Sequence, residues 1–168
     1  VAVEPSAVMV AQRKPGLAPA VRATAESLPF GDGTFDVALA VLTIHHWSDR
    51  RRGLLECARV ARRRVVLFTW DPQSAGFWLM QEYLPETLVL DRRIFPRVDD
   101  VASVIGDVDA RPVPIPFDCV DGFLGAFWAR PDAYLDAGVR NGISSFARLE
   151  TGAALARLQS DLQDGTWR

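Results

Sequence analysis

The sequence predicts an α/β protein built on a parallel sheet. Two apolar runs, FDVALAVL at residues 35–42 and VVLFT at residues 65–69, lack the polar alternation of a solvated strand, the pattern of strands covered by helices on both faces. Between them, Leu54, Leu55, Ala58 and Ala61 recur at helical spacing behind Ser48, which reads as a cap. The opening VAVEPS runs β-forming residues into Glu4, Pro5 and Ser6, a strand feeding a helix. Strands alternating with helices imply βαβ units.

In chain order, residues 1–3 are the tail of a strand, and residues 6–14 a helix stopped by Pro15 and Gly16. Residues 21–25 form a short strand. GDGT at residues 31–34 stands between two strand-like runs and could close a hairpin; the absence of alternation in LPF and in FDVALAVL argues against it. Arg62–Arg64 follow the central helix, where cations suit the helix dipole. Beyond Pro72 the texture changes. FWLMQEYL is an aromatic-rich helical stretch, residues 99–106 a short helix, and RPVPIPFDC a strand broken by prolines and so at or near a sheet edge. Residues 123–147 read as two or more helices. Residues 151–164 place Leu155, Leu158 and Leu162 on one helix face, ending at Gly165.

With 168 residues the chain has room for one domain with a substantial core. Hydrophobic residues make up 49% and charged residues 24%, with a formal net charge of −2. This is the balance of a soluble globular protein and gives no reason to expect nucleic acid as a partner. The arginine groups at 50–52 and 62–64 read as solvated helix ends. Cys57 and Cys119 are too few for a disulfide framework or zinc site, so a reducing cytoplasm is expected. No apolar run approaches the roughly 20 residues of a membrane span, so no membrane partner is expected. No secretory leader is expected either, because the first residues read as a strand. A start at Val1 rather than Met reads as a fragment or a processed chain.

An acid ending a strand in a nucleotide-binding α/β fold commonly holds ribose hydroxyls, with a glycine-rich loop some twenty residues upstream. Glu4 has the first property, but nothing precedes it. VAVEPS, RATAESLPFGDGTFDVALAVLTIHHWSD and ARVARRRVVLFTWDP together resemble the class I S-adenosylmethionine-dependent methyltransferases of the type 11 group. The similarity is close over residues 1–72, and PVPIPFDCVDGF with the terminal helix is similar to the distal half of some bacterial members.

This resemblance implies a Rossmann-like sheet with S-adenosylmethionine across the carboxyl ends of its strands. Glu4 matches the ribose acid, Thr24, Ala25 and Glu26 the turn flanking the adenine, and Val41 the strand end beside the methionine part. Relatives usually carry an aspartate where Thr24 stands. The family's first strand and glycine loop have no counterpart here, and neither does its last strand. That first strand lies mid-sheet, between residues 1–3 and 35–42. The expectation is therefore a single partial methyltransferase domain, with a cofactor-binding part at 1–72 and helical insertions and distal half at 73–168. A lost central strand leaves rows of backbone groups unpaired and favours self-association through them.

Methyl transfer from a sulfonium needs alignment and exclusion of water more than a catalytic cluster, and no metal is called for. The acceptor is expected to be a small molecule. His45 and His46 follow the fourth strand at the rim where an acceptor would sit, as a base or substrate contact or else as packed or capping residues. Trp70 and Asp71 end the fifth strand, facing substrate or packing before Pro72. Phe77, Trp78, Phe123, Phe127 and Trp128 read as core at helical spacing or as the roof of an acceptor pocket. Two other classes compete. One is a non-catalytic remnant or interaction module on the same scaffold. The other is a nicotinamide oxidoreductase, disfavoured because no Tyr-x-x-x-Lys pair follows.

Overall fold

The computed structural model describes residues 1–167. The chain divides into two compact units, one of residues 1–72 and 94–109, the other of residues 73–93 and 110–168.

The first unit holds all the strands. β1 (Ala2–Val3) pairs in parallel with β2 (Ala20–Val21), and β3 (Phe35–Val41) in parallel with β4 (Ala61–Phe68), as two separate two-stranded sheets. Parallel pairing of β3 with β4 agrees with the apolar runs. GDGT closes no hairpin, because the strands on either side of it belong to different sheets. The strand expected at residues 21–25 shortens to Ala20–Val21, since beyond it Thr24 O accepts Ser27 N and the chain turns. Ser6 caps α1 (Ala7–Ala11), its Oγ accepting Met9 N at 3.3 Å.

α2 (Arg50–Val60) begins one residue later than the sequence suggests. Asp49 is the cap, its Oδ1 accepting Arg52 N at 2.9 Å, and Ser48 is engaged elsewhere. The helix passes into β4 without a loop, because Ala61 is already extended. A register shift between Phe35 and Val37 absorbs one extra residue on β4.

One face of the β3–β4 pair is packed. Ala40 is buried, and Leu67 packs against a cluster of Ile44, Leu54 and Val101, the last from α4 (Val98–Ile105). Trp47 covers Gly53 so closely that an added Cβ would sit 2.5 Å from its ring. The other face is not covered: Val37, Leu39 and Val41 are 46%, 65% and 50% exposed, and Val66, paired with Leu39, is 38% exposed. A strand covered on both faces was expected from FDVALAVL; the described residues cover one.

The second unit is built from helices and tight turns. Leu79–Tyr83 form a wide π-type turn, followed by α3 (Glu86–Ile94), α5 (Ala137–Asn141) and α6 (Gly152–Asp164). Short 3-10 turns at Leu124–Phe127 and Pro131–Leu135 replace part of the helix expected there. Gly165 ends α6 at φ 77°. Leu79, Tyr83, Leu84, Tyr134, Ile143 and Leu158 form the core, with Phe77, Trp78 and Phe127 packed on it. Tyr134 donates to Leu124 O at 2.5 Å, and Tyr83 to Asp161 at 2.6 Å. RPVPIPFDC is not a strand. Its prolines remove ladder donors, and among the described residues this unit has no strand to pair with it.

Ile44 is 1% exposed and Leu39 65% exposed. In the 168-residue chain, Ile44→Ala lowers unfolding free energy by about 2–5 kcal/mol, whereas Leu39→Ala changes it by less than about 0.5 kcal/mol. Urea titration of the two variants checks this contrast.

Candidate functional site

The carboxyl ends of the parallel strands make two rims in the first unit. At the first, Glu4 N donates to Val21 O at 3.1 Å, extending the β1–β2 ladder by one bond. Glu4 Oε1 then accepts Ser6 N at 2.8 Å, fixing the strand-to-helix turn. Its second oxygen takes no hydrogen bond among the described residues. Thr24, Ala25 and Glu26 follow β2 at the same rim.

At the second rim, Val41 ends β3 opposite Phe68, and Leu42 N donates to Phe68 O at 2.8 Å. Leu42 has φ 46°, the one non-glycine residue in left-handed backbone among the described residues. Such a conformation costs a side chain about 1–2 kcal/mol, and here it turns the chain sharply off the strand end. The 3-10 turn Ile44–His46 follows, anchored by Ile44 in the core. The His45 and His46 rings lie 3.9 Å apart, and His45 sits 4.4 Å from Phe95. Thr69 and Trp70 leave β4 on this rim, and the Thr69 hydroxyl is buried without a hydrogen-bond partner. Among the described residues no group of His, Cys, Asp and Glu is placed to hold a metal ion.

No strand pairing joins the two rims; side chains do. Glu26 Oε1 accepts Ser48 N at 2.8 Å, Ser48 Oγ at 2.9 Å and Asp49 N at 3.2 Å. Partial desolvation pushes the Glu26 carboxyl upward, but its own amide, that of Asp49, and the Ser48 and Thr24 hydroxyls outweigh this and hold it at about 2. Further along α2, Glu56 Oε2 accepts Leu28 N at 2.9 Å. Arg59 pairs with Glu56 at 2.7 Å and donates to Leu28 O, Phe30 O and Asp32. The Arg59 guanidinium is the main reason the Glu56 carboxyl lies at about 2. The connector between β2 and β3 is thus clamped to α2 at both ends.

Sequence reading expects Glu4, Thr24, Ala25, Glu26, Val41, His45, His46 and Trp70 along the rim of one sheet; the structure places the first four at the rim of β1 and β2 and the other four at the rim of β3 and β4. It missed the clamp. Glu56 and Arg59, three apart within an arginine-rich helix, look like a solvated pair, and only their contacts with residues 28–32 distinguish them.

Both clamping carboxyls titrate below their ordinary value of 4.5. A depressed folded-state pKa stabilises above the unfolded pKa and ceases to do so as pH falls through the folded value. The contribution of these two groups to stability should therefore be constant above about pH 4.5 and fall towards pH 2, seen as the difference in denaturation midpoint between the parent and Glu56→Gln across that range. Glu56→Gln should lower the neutral-pH midpoint and flatten that decline.

A family model described as a methyltransferase domain matches residues 1–69. The chain is 41% identical over 68 residues to the uncharacterised methyltransferase YcgJ of Bacillus subtilis, a match covering 40% of this chain and 23% of that protein. It is 40% identical over 55 residues to the chloroplastic 2-methyl-6-phytyl-1,4-hydroquinone methyltransferase 2 of Oryza sativa, covering 33% of this chain and 16% of that one. A solved structure reported as a methyltransferase from an antibiotic biosynthesis pathway of Anabaena variabilis superposes with a TM-score of 0.87 at 34% identity, over 98% of this chain and 70% of that one. The matched stretch thus spans about a quarter or less of these curated relatives.

Proposed function

The chain belongs to the class I S-adenosylmethionine-dependent methyltransferases, and we propose that it takes part in methyl transfer from S-adenosylmethionine to a small-molecule acceptor, supplying the ribose and adenine side of the cofactor site. The observation that carries this reading is Glu4: a carboxylate at the carboxyl end of a parallel strand, one oxygen held by Ser6 N and the other uncommitted. A ribose diol presents two donors to such an oxygen.

The residues present fit one end of the donor. Glu4 takes the sugar, and the Thr24–Glu26 turn flanks the base. Thr24 acts on Glu26 through its hydroxyl, which leaves the Ala25 and Glu26 backbone as the polar groups nearest an adenine edge. Val41 and Leu42 offer backbone and apolar contact to the methionyl end. When bound, the sulfonium supplies the electrophilic methyl group. The protein's part is to hold donor and acceptor in line and keep water out. His45, His46 and Trp70 stand on the acceptor side, where an imidazole can contact the acceptor or receive a proton if one is released. A reducing cytoplasm suits the two free thiols of Cys57 and Cys119.

A second reading, a non-catalytic module on the same scaffold, draws support from the uncovered Val37, Leu39 and Val41 face and the separate sheets. The open edges and this apolar face also favour self-association. The two readings differ in ligand binding. Calorimetric titration with adenosylhomocysteine should show weak binding by the 168-residue chain and micromolar or tighter binding by a longer polypeptide carrying a glycine-rich strand and loop ahead of Val1. Glu4→Ala in the longer form should cost about 1–3 kcal/mol of binding, the scale of a lost charged hydrogen bond. No binding by the longer form rejects the methyltransferase reading, and unchanged affinity in Glu4→Ala removes Glu4 from the site.

A further inference from the structure

We propose that Glu26 is a positioning residue that sets the spacing between the two rims of the site, tying the Thr24–Glu26 turn to the His45–His46 turn. The functional half of this inference rests on the methyl-transfer reading; the mechanical half does not.

In a continuous sheet, ladder hydrogen bonds fix how far one strand end lies from the next. Here β2 and β3 lie in different sheets, so no ladder performs that task. The polar link nearest the rims is Glu26 Oε1, on which Ser48 N, Ser48 Oγ and Asp49 N converge. Ser48 follows the His45–His46 turn by two residues, and Trp47 between them is seated on Gly53 of α2. Asp49 caps α2, so the same carboxylate also fixes the start of the helix.

Three donors on one oxygen call for a carboxylate. An amide oxygen accepts less strongly, and a glutamine turned to place its nitrogen here would meet two N–H donors, with only the Ser48 hydroxyl able to accept. The Glu56–Arg59 clamp does not replace this link, because it grips residues 28–32, beyond the turn. Loss of the Glu26 link frees residues 24–27 and 44–47 to move independently. Under the methyl-transfer reading, those segments carry the donor's base and the acceptor's contacts. A misplacement of about 1 Å between reacting partners can cost roughly 100-fold in rate.

The test uses the 168-residue chain with Glu26→Gln, and with Ser48→Ala as a milder variant that keeps both amide bonds. Without ligand, amide hydrogen exchange and relaxation dispersion are recorded by NMR. With Glu26→Gln, Ser48 and Asp49 amides should exchange at least about tenfold faster, a scale set by the loss of a charge-assisted bond. New exchange broadening should appear in both residues 24–27 and residues 44–47, while β3, β4 and α4 keep their protection. Ser48→Ala should give a smaller effect at the same places. No change, or a change confined to Ser48 and Asp49, overturns the inference.

In the second arm, adenosylhomocysteine is titrated to millimolar concentration. In the parent chain, resonances of residues 24–26 and the His45 and His46 imidazole signals should shift together. With Glu26→Gln the first group should still shift while the imidazole signals no longer follow; imidazoles that still follow overturn the coupling. If the parent chain shows no ligand response at either rim, the same titration is made on the longer polypeptide; no response there rejects the methyl-transfer reading, and the ligand-free arm still judges the link.

Discussion

The arrangement depends on charged side chains tying α2 to the connector between β2 and β3. Two parallel strand pairs that do not share a ladder keep register through other contacts, and one backbone bond, Gly33 N to Arg59 O at 2.8 Å, joins the connector to α2. Glu26 grips the α2 N-terminus, and Glu56 with Arg59 grips residues 28–32 from the body of the helix. The carboxylates are held well below their ordinary pKa, which is the electrostatic signature of being needed in the charged form. Surface ion pairs usually contribute little. These differ because each charge also satisfies backbone groups of another segment, so losing one leaves donors or acceptors unmet as well as removing an attraction.

The same geometry explains the exposure of Val37, Leu39 and Val41. Residues of alternating parity on β3 face opposite sides of the pair. Ala38 and Ala40 lie on the packed face, Ala40 buried, while the larger Val37, Leu39 and Val41 face the open side. Gly53 of α2 likewise leaves room for the Trp47 ring to pack on the helix. The bulky residues lie where more covering structure would bury the most apolar area, at roughly 25 cal/mol for each Å² removed from water. An uncovered strand of this kind is a ready template for pairing, whether with another part of a longer polypeptide or with a second copy.

Much of the first unit was legible because its signals are local and agree with one another. The unbroken apolar run of β3, the helical spacing of Leu54 and Ala58, and the strand-end position of Glu4 each follow from side-chain period and backbone preference. What failed depended on partners remote in sequence. Ser48 and Asp49 are both good caps, and propensity does not choose between them; Glu26, twenty-two residues away, decides by taking the Ser48 amide and hydroxyl. RPVPIPFDC has β-forming residues but no strand beside it, and strand formation is a property of pairs. In the second unit, Pro131, Gly125 and Gly138 divide the chain into turns too short for helical period to reveal. Of its five candidate aromatics, Phe77, Trp78 and Phe127 follow the plainer expectation and pack against Tyr134, whereas Trp128 stays 41% exposed and neither it nor Phe123 joins that core.

The absence of a dense catalytic cluster in the sequence has a physical counterpart in the site. When an electrophile arrives ready-made on a cofactor, the protein can accelerate transfer chiefly through geometry: approach, alignment and the exclusion of water. Geometry of that kind is held by residues that need not touch the reacting atoms. Side-chain inventories therefore single out Glu4 and the histidines, because they carry recognisable chemistry at the rim. A residue such as Glu26 is chemically just as plain, yet its bonds join the turn after β2 to the segment that follows His45 and His46. In a scaffold whose strands are continuous, the sheet itself would share that task. Where two strand pairs stand apart, that task passes to side chains, here Glu26 together with Glu56 and Arg59.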